Sequence, residues 1–288
     1  MFADGVLEAQ RINDGFATPE LGAAYWREGA KTVSAEDLTY PGGAGQAQVA
    51  RLYNRAEGVP LLLFIHGGGW AGGSIDLNDR ACSALAADTG WQVLSISYRL
   101  APAHPFPAGL DDCRAALAFV RAGGLGATPV CIAAGGASAG GNLALCLALA
   151  ESGLDGLLLF YPVCGSDFAT ASYVEYADGF GLSRARMKML FDMVDPEAEH
   201  RRNPLLVPLA GDLTGLPTTH IISAELDVLA DDSRQLAERL THAKVPHTLH
   251  IEPGVTHGFI NRGRLIPAAD TCLSLASARL ITLKDPQT

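Results

Sequence analysis

The chain has 288 residues, 48% of them hydrophobic and 18% charged, with a formal net charge of -10 at pH 7. This is the composition of a globular protein with a large core, not of a disordered chain. The acidic balance argues against a nucleic-acid groove or an anionic membrane surface as partner and favours a neutral small molecule.

The N-terminal stretch MFADGVLEAQRINDGF has neither an apolar h-region nor a small-residue cleavage site. No apolar run reaches the length of about 18 residues that suggests a membrane span, so a cytoplasmic protein without membrane contact is expected. Residues 1–35 precede any strand and look helical, most clearly from Leu21 to Lys31. Glu36 to Tyr40 and Gln46 to Tyr53, joined across Pro41-Gly42-Gly43, predict an antiparallel hairpin.

Six short runs follow: Leu61 to His66, Gln92 to Tyr98, Val130 to Ala134, Leu157 to Tyr161, His220 to Ala224 and Thr248 to Ile251. They are apolar throughout rather than alternating, as strands buried on both faces of a parallel sheet are. Leu77 to Thr89, Gly109 to Ala122, Ala139 to Glu151, Asp231 to Ala243 and Ile266 to Leu283 carry apolar residues at three-and-four spacing and predict helices. The alternation implies an α/β fold, a mostly parallel open sheet flanked by helices, with residues 1–288 as a single domain.

Residues 165–212 interrupt that alternation with a long polar stretch. A structureless loop of such length is unusual in a compact domain, so a helical insertion is expected, with Arg184 to Val194 its clearest helix. Residues 1–35 and 165–212 would then form a cap over the carboxyl edge of the sheet. The run Met187-Lys188-Met189-Leu190-Phe191 reads as cap core rather than a partner site. The six cysteines lie mostly in apolar runs, without a CxxC pair or a histidine at zinc-ligand spacing, and read as reduced core residues.

Gly136-Ala137-Ser138-Ala139-Gly140 leads from a buried strand into an Ala/Leu-rich helix. With 32 glycines in the chain the G-x-S-x-G pattern alone is weak, but this strand-turn-helix setting is what a nucleophile elbow requires. Glycines are needed there because a side chain two positions from the serine would collide. The bland alternative is a small-residue turn or a phosphate-binding loop, yet neither the P-loop ending nor G-x-G-x-x-G spacing is present.

A serine needs a base, and the base an orienting acid. Downstream, Asp227 stands at the carboxyl end of the His220 strand and His257 lies in the glycine-flanked loop after the Thr248 strand, both where an open α/β sheet gathers its ligand-facing loops. Asp231 or Asp232 is better read as an N-cap of the following helix, and Glu225 as pointing away. His220, His247 and His250 lie on or beside strands and read as satisfied core or surface residues. Ile65-His66-Gly67-Gly68-Gly69-Trp70, after the apolar run from Leu61, offers backbone amides with no side chains in the way, suited to a developing oxyanion. His66 is then structural.

Together these segments, with Tyr98-Arg99-Leu100-Ala101-Pro102 and its continuation to Ala108, and with Asp227-Val228-Leu229-Ala230-Asp231-Asp232, resemble the hormone-sensitive-lipase-like branch of the α/β hydrolases, which includes bacterial carboxylesterases. The resemblance covers residues 55 to 262. It implies an α/β-hydrolase fold with a helical cap, Ser138 as nucleophile with Asp227 and His257, and the amides of Gly68, Gly69 and Ala139 as oxyanion hole. It departs from the family at Ala137, Ala103 and Val228, which bears on the hydrogen bonding around the elbow.

The implied activity is a serine carboxylesterase acting on a short- to medium-chain ester, a small-molecule substrate, without cofactor or metal. A homodimer follows only by analogy with the family. An amidase or arylformamidase is the nearest rival, and a noncatalytic small-molecule receptor, which would be free to lose His257, is a remoter one.

Overall fold

The computed structural model describes residues 1–16 and 18–283. Two short helices open the chain, α1 (Val6–Asn13) and α2 (Pro19–Arg27). The second begins where the Thr18 hydroxyl accepts the N–H of Leu21 and Pro19 supplies a preset φ, and stops before Gly29 at φ 77°, short of the Lys31 expected from periodicity. The antiparallel hairpin follows as β1 (Ala35–Pro41) and β2 (Ala47–Tyr53).

Beyond it run β3 (Leu61–Ile65), α3 (Asp79–Thr89), β4 (Gln92–Ile96), α4 (Ala108–Arg121), β5 (Ile132–Ala137), α5 (Ala139–Ala150) and β6 (Gly156–Phe160). The interruption holds α6 (Ala171–Glu175) and α7 (Arg184–Val194). The chain then returns through β7 (Thr218–Leu226), α8 (Ala230–His242), β8 (His247–Thr256) and α9 (Pro267–Thr282). The last two strands are longer than their apolar runs, because β7 and β8 stay paired past a register shift at Ala224/Leu226.

The eight strands are ordered β1-β2-β4-β3-β5-β6-β7-β8, antiparallel at the β1/β2 and β2/β4 contacts and parallel from β4 to β8. Alternate residues of each strand serve opposite faces. Leu63, Ile65, Leu94 and Leu159 pack with Leu117, Leu145 and Leu236 of α4, α5 and α8. Leu62, Phe64, Val93 and Phe160 pack with Leu85 and Leu273 of α3 and α9.

The chain leaves β3 for β4 on one side and later returns to β5 on the other. This reversal opens a crevice beyond the carboxyl ends of β3 and β5, where His66 to Gly69 and Ser138 emerge.

The helical insertion is anchored to the first core layer by Met187, Leu190, Phe191 and Val194, while Lys188 and Met189 of the same run stay exposed. One expectation fails. Asp231 and Asp232 do not cap α8; Leu229 holds that position, with its N–H bonded to Asp227 Oδ1 at 3.1 Å. Both acids lie in the first helical turn and reach sideways instead, Asp231 to the N–H of Ser172 and Asp232 to those of Cys164 and Gly165.

Candidate active site

Ser138 sits between β5 and α5 at φ 58°, ψ -121°, a conformation an L-residue adopts only when its surroundings impose it. Two glycines permit this. A Cβ on Gly136 would fall 2.6 Å from the Gly140 carbonyl, and one on Gly140 would fall 2.5 Å from the His66 carbonyl oxygen. The collision expected from sequence is therefore real, and it is with backbone, which cannot step aside.

The residues singled out by motif converge. His257 Nε2 lies 2.8 Å from Ser138 Oγ, and His257 Nδ1 lies 2.6 Å from Asp227 Oδ2. Asp227 is fully buried, and with its carboxylate oxygen accepting from Nδ1–H, Nε2 is left with a lone pair for the serine hydroxyl. The Tyr161 ring backs the imidazole at 4.7 Å between centroids. Glu225 is turned away, accepting the N–H of Gly254, and His220 is a buried strand residue bonded to Thr248.

On the facing side, Gly67, Gly68 and Gly69 line the same cavity as Ser138 and His257, which measures about 340 Å³. A Cβ on Gly67 would stand 2.8 Å from the Ala137 carbonyl oxygen, so glycine lets the loop lie flat on the elbow. Gly68 and Gly69 have φ 125° and 64°. Ala139 opens α5, where backbone N–H groups lack intrahelical partners and the helix end is positive. His66 serves as scaffold: burial pushes its imidazole down to about 4, Nδ1–H donates to the Gly67 carbonyl, and its ring stacks on Tyr98 at 4.4 Å.

Some supporting residues carried no assignable role in the sequence. Trp70 donates from Nε1 to Asn142 Oδ1, while Asn142 Nδ2 donates to the carbonyls of Val163 and Leu206, stitching glycine loop, elbow helix and insertion together. Asn142 lies four residues after Ser138, one helical turn away, which is the signal that could have found it. Asn13, Trp26, Asn78, Asn261 and Arg262 line the cavity from four separate segments, and no local pattern marks them.

Among the described residues, the group able to hold a metal is His250, Glu252 and Cys272, away from this cavity. Its members satisfy one another, His250 Nε2 at 2.7 Å and Cys272 Sγ at 3.2 Å from Glu252 Oε2.

A family model described as the alpha/beta hydrolase fold matches residues 62–261. The chain belongs to the α/β hydrolase fold family. Within it, this hydrolase falls in the hormone-sensitive-lipase-like branch that its motifs resemble. It is 38% identical over 224 residues to carboxylesterase NlhH of Mycobacterium tuberculosis, covering 74% of this chain and 70% of that protein. It is 33% identical over 251 residues to an ethyl acetate hydrolase of Pseudomonas putida, covering 81% and 78%. Its structure is similar, at TM-score 0.89 and 30% identity over 98% of this hydrolase and 99% of the other chain, to an ester-hydrolase from the metagenome of Lake Arreo complexed with a bipyridine phosphonate derivative. No helix of the described residues is long and apolar enough to cross a membrane.

Proposed function

We propose that this hydrolase is a serine carboxylesterase acting on short- to medium-chain esters through an acyl-enzyme. The observation that carries the reading is the continuous chain of contacts from Ser138 Oγ through His257 to buried Asp227. Ser138 Oγ attacks the ester carbonyl as His257 Nε2 takes its proton, and Asp227 stabilises the resulting imidazolium. The amides of Gly68, Gly69 and Ala139 receive the oxyanion. The tetrahedral adduct collapses, the alcohol leaves with the proton from Nε2, and water repeats the cycle on the acyl-serine to release the acid and restore the hydroxyl.

Residues 1–35 and 165–212 act as the cap of a single domain: Trp26 from the first and Leu182, Met187 and Leu190 from the second line the cavity. A volume of about 340 Å³ lies near the lower end of ligand pockets, which supports short to medium acyl chains over long ones.

Initial rates on p-nitrophenyl esters from acetate to palmitate, for native and Ser138→Ala protein, test this. Turnover that peaks at short or medium chains and vanishes in the variant is expected. Turnover that survives the substitution, or is absent on every ester, overturns the reading.

A further inference from the structure

The proposed ester site holds a cation that its chemistry does not use. Arg262 ends the short turn Phe259–Asn261 that follows His257, and lines the cavity with Ser138. Its Nη2 lies 3.8 Å from where a Cβ on Gly258 would stand, which sets the guanidinium beside the backbone next to the imidazole.

Several other partly buried arginines hold carboxylates: Arg99 pairs with Asp112, Arg80 with Asp270, and Arg201 with Asp195. No carboxylate among the described residues stands within ion-pair distance of Arg262; the acid that acts on it through space is exposed Asp14. A half-buried guanidinium that lines the cavity with no carboxylate beside it is placed to take the charge of a ligand.

Trp26 lines the cavity as well, with its Nε1–H enclosed in the wall and without a hydrogen-bond partner. Arg186, exposed on α7, reaches the cavity from the insertion. Against these stand apolar Leu182, Met187 and Leu190.

We propose that the ester taken by this site carries a carboxylate on its alcohol portion, received by Arg262. The proposal rests on the esterase reading above, and it replaces the neutral ligand expected from overall charge. The alcohol side follows from the chemistry: His257 Nε2 returns its proton to the leaving alkoxide, so what flanks the imidazole flanks the alcohol, whereas the oxyanion amides flank the acyl oxygen. A carboxylate follows from charge and shape, since the planar Arg262 guanidinium matches a two-oxygen anion.

The test compares 3-acetoxybenzoate with 3-acetoxybenzamide, alike in shape and differing in charge. Native protein should favour the benzoate by about 10-fold or more in kcat/KM, chiefly through KM, the range of a charge-assisted hydrogen bond. Raising NaCl from about 0.05 to 0.5 M should erode that ratio through screening. Arg262→Gln should bring the ratio to one or below, and Arg262→Lys should keep part of it. Equal rates on the two esters, or a preference that survives Arg262→Gln, overturn the inference while leaving the esterase reading intact.

A preference confined to the acyl side, read as p-nitrophenyl hemiglutarate over p-nitrophenyl valerate, overturns the placement on the alcohol. Calorimetric binding of 3-hydroxybenzoate against 3-hydroxybenzamide to the Ser138→Ala protein reads the same site without turnover. Equal affinities there overturn the inference even if no ester is hydrolysed, an outcome that separately defeats the esterase reading.

Discussion

Asp232 Oδ2 accepts the N–H of Cys164 at 2.7 Å, and that of Gly165 at 2.9 Å, tying the helix behind Asp227 to the chain that enters the insertion. Burial pushes this carboxyl up to about 6, with Asp227 and Asp231 adding to the rise and the two amides opposing it. A raised value means the folded protein holds the proton more tightly than the unfolded chain does. The contribution is therefore most favourable below about pH 4, is lost as pH rises towards 6, and is flat above, amounting to about 3 kcal/mol at most.

Asp232→Asn keeps an acceptor for both amides and removes the ionisation. Between pH 4.5 and 7.5 it should lose less unfolding free energy than the native protein does, by denaturant titration at each pH. Equal pH dependence in the two proteins would exclude Asp232 as the source.

The sheet and its helices were legible because apolar runs and three-and-four spacing record burial directly. The insertion was not legible in detail, since α6 is one short turn-like helix held by Ser172 against Val228 and Asp231 rather than by periodicity. At the site, Ser138, Asp227 and His257 could be found because each follows a strand at the crevice. The cavity's walls could not, because Trp26, Asn78, Leu182 and Arg262 meet only through tertiary packing. Asp231 and Asp232 misled for a related reason: an acid at a helix start satisfies a capping rule, and only the fold shows that its oxygens are taken elsewhere.

Asp112 was equally silent in the sequence, yet it joins three segments. Its buried carboxylate accepts from the backbone N–H of Gly43 and Arg99, from Gln46 and Gln48, and from Arg99 Nε. Burial opposes its charge, but Arg99 and these donors outweigh that and hold it below the usual carboxylate value. Asp112→Ala leaves a cation and several donors unmatched, and should cost about 3–5 kcal/mol of stability by denaturant unfolding. Asp112→Asn, which retains acceptor capacity, should cost less. A loss under about 1 kcal/mol for the alanine variant would mean that water replaces the network, as it does for an exposed pair.

Asp227→Asn tests the orienting role proposed for the acid. The amide would present either a donor or a neutral acceptor to His257 Nδ1, and the tautomer that leaves Nε2 free to accept the Ser138 proton would lose its support. An effect of about 10⁴ on kcat is expected, with KM nearly unchanged. Labelling of Ser138 by a fluorophosphonate should slow in parallel. Slow ester turnover with undiminished labelling would put the defect in deacylation rather than in activation of the serine.

Gly69 separates two reasons for a glycine. At φ 64° any side chain is strained, and a Cβ there would also strike Leu190 of α7, whose Cγ would stand 2.9 Å away. Gly90, at φ 69° behind α3, has the same backbone demand and open space around it. Gly90→Ala should therefore cost about 1 kcal/mol of stability and leave activity alone. Gly69→Ala should cost more and, with the oxyanion role proposed for this loop, lower kcat about 10²-fold or more as the loop retreats from Ser138. Adding Leu190→Ala removes the clash but not the strain. The double variant should regain part of kcat over Gly69→Ala, and the part that does not return measures what the backbone conformation itself contributes. No recovery at all would mean that the loop amides are misplaced by φ alone, with the insertion playing no part in setting them.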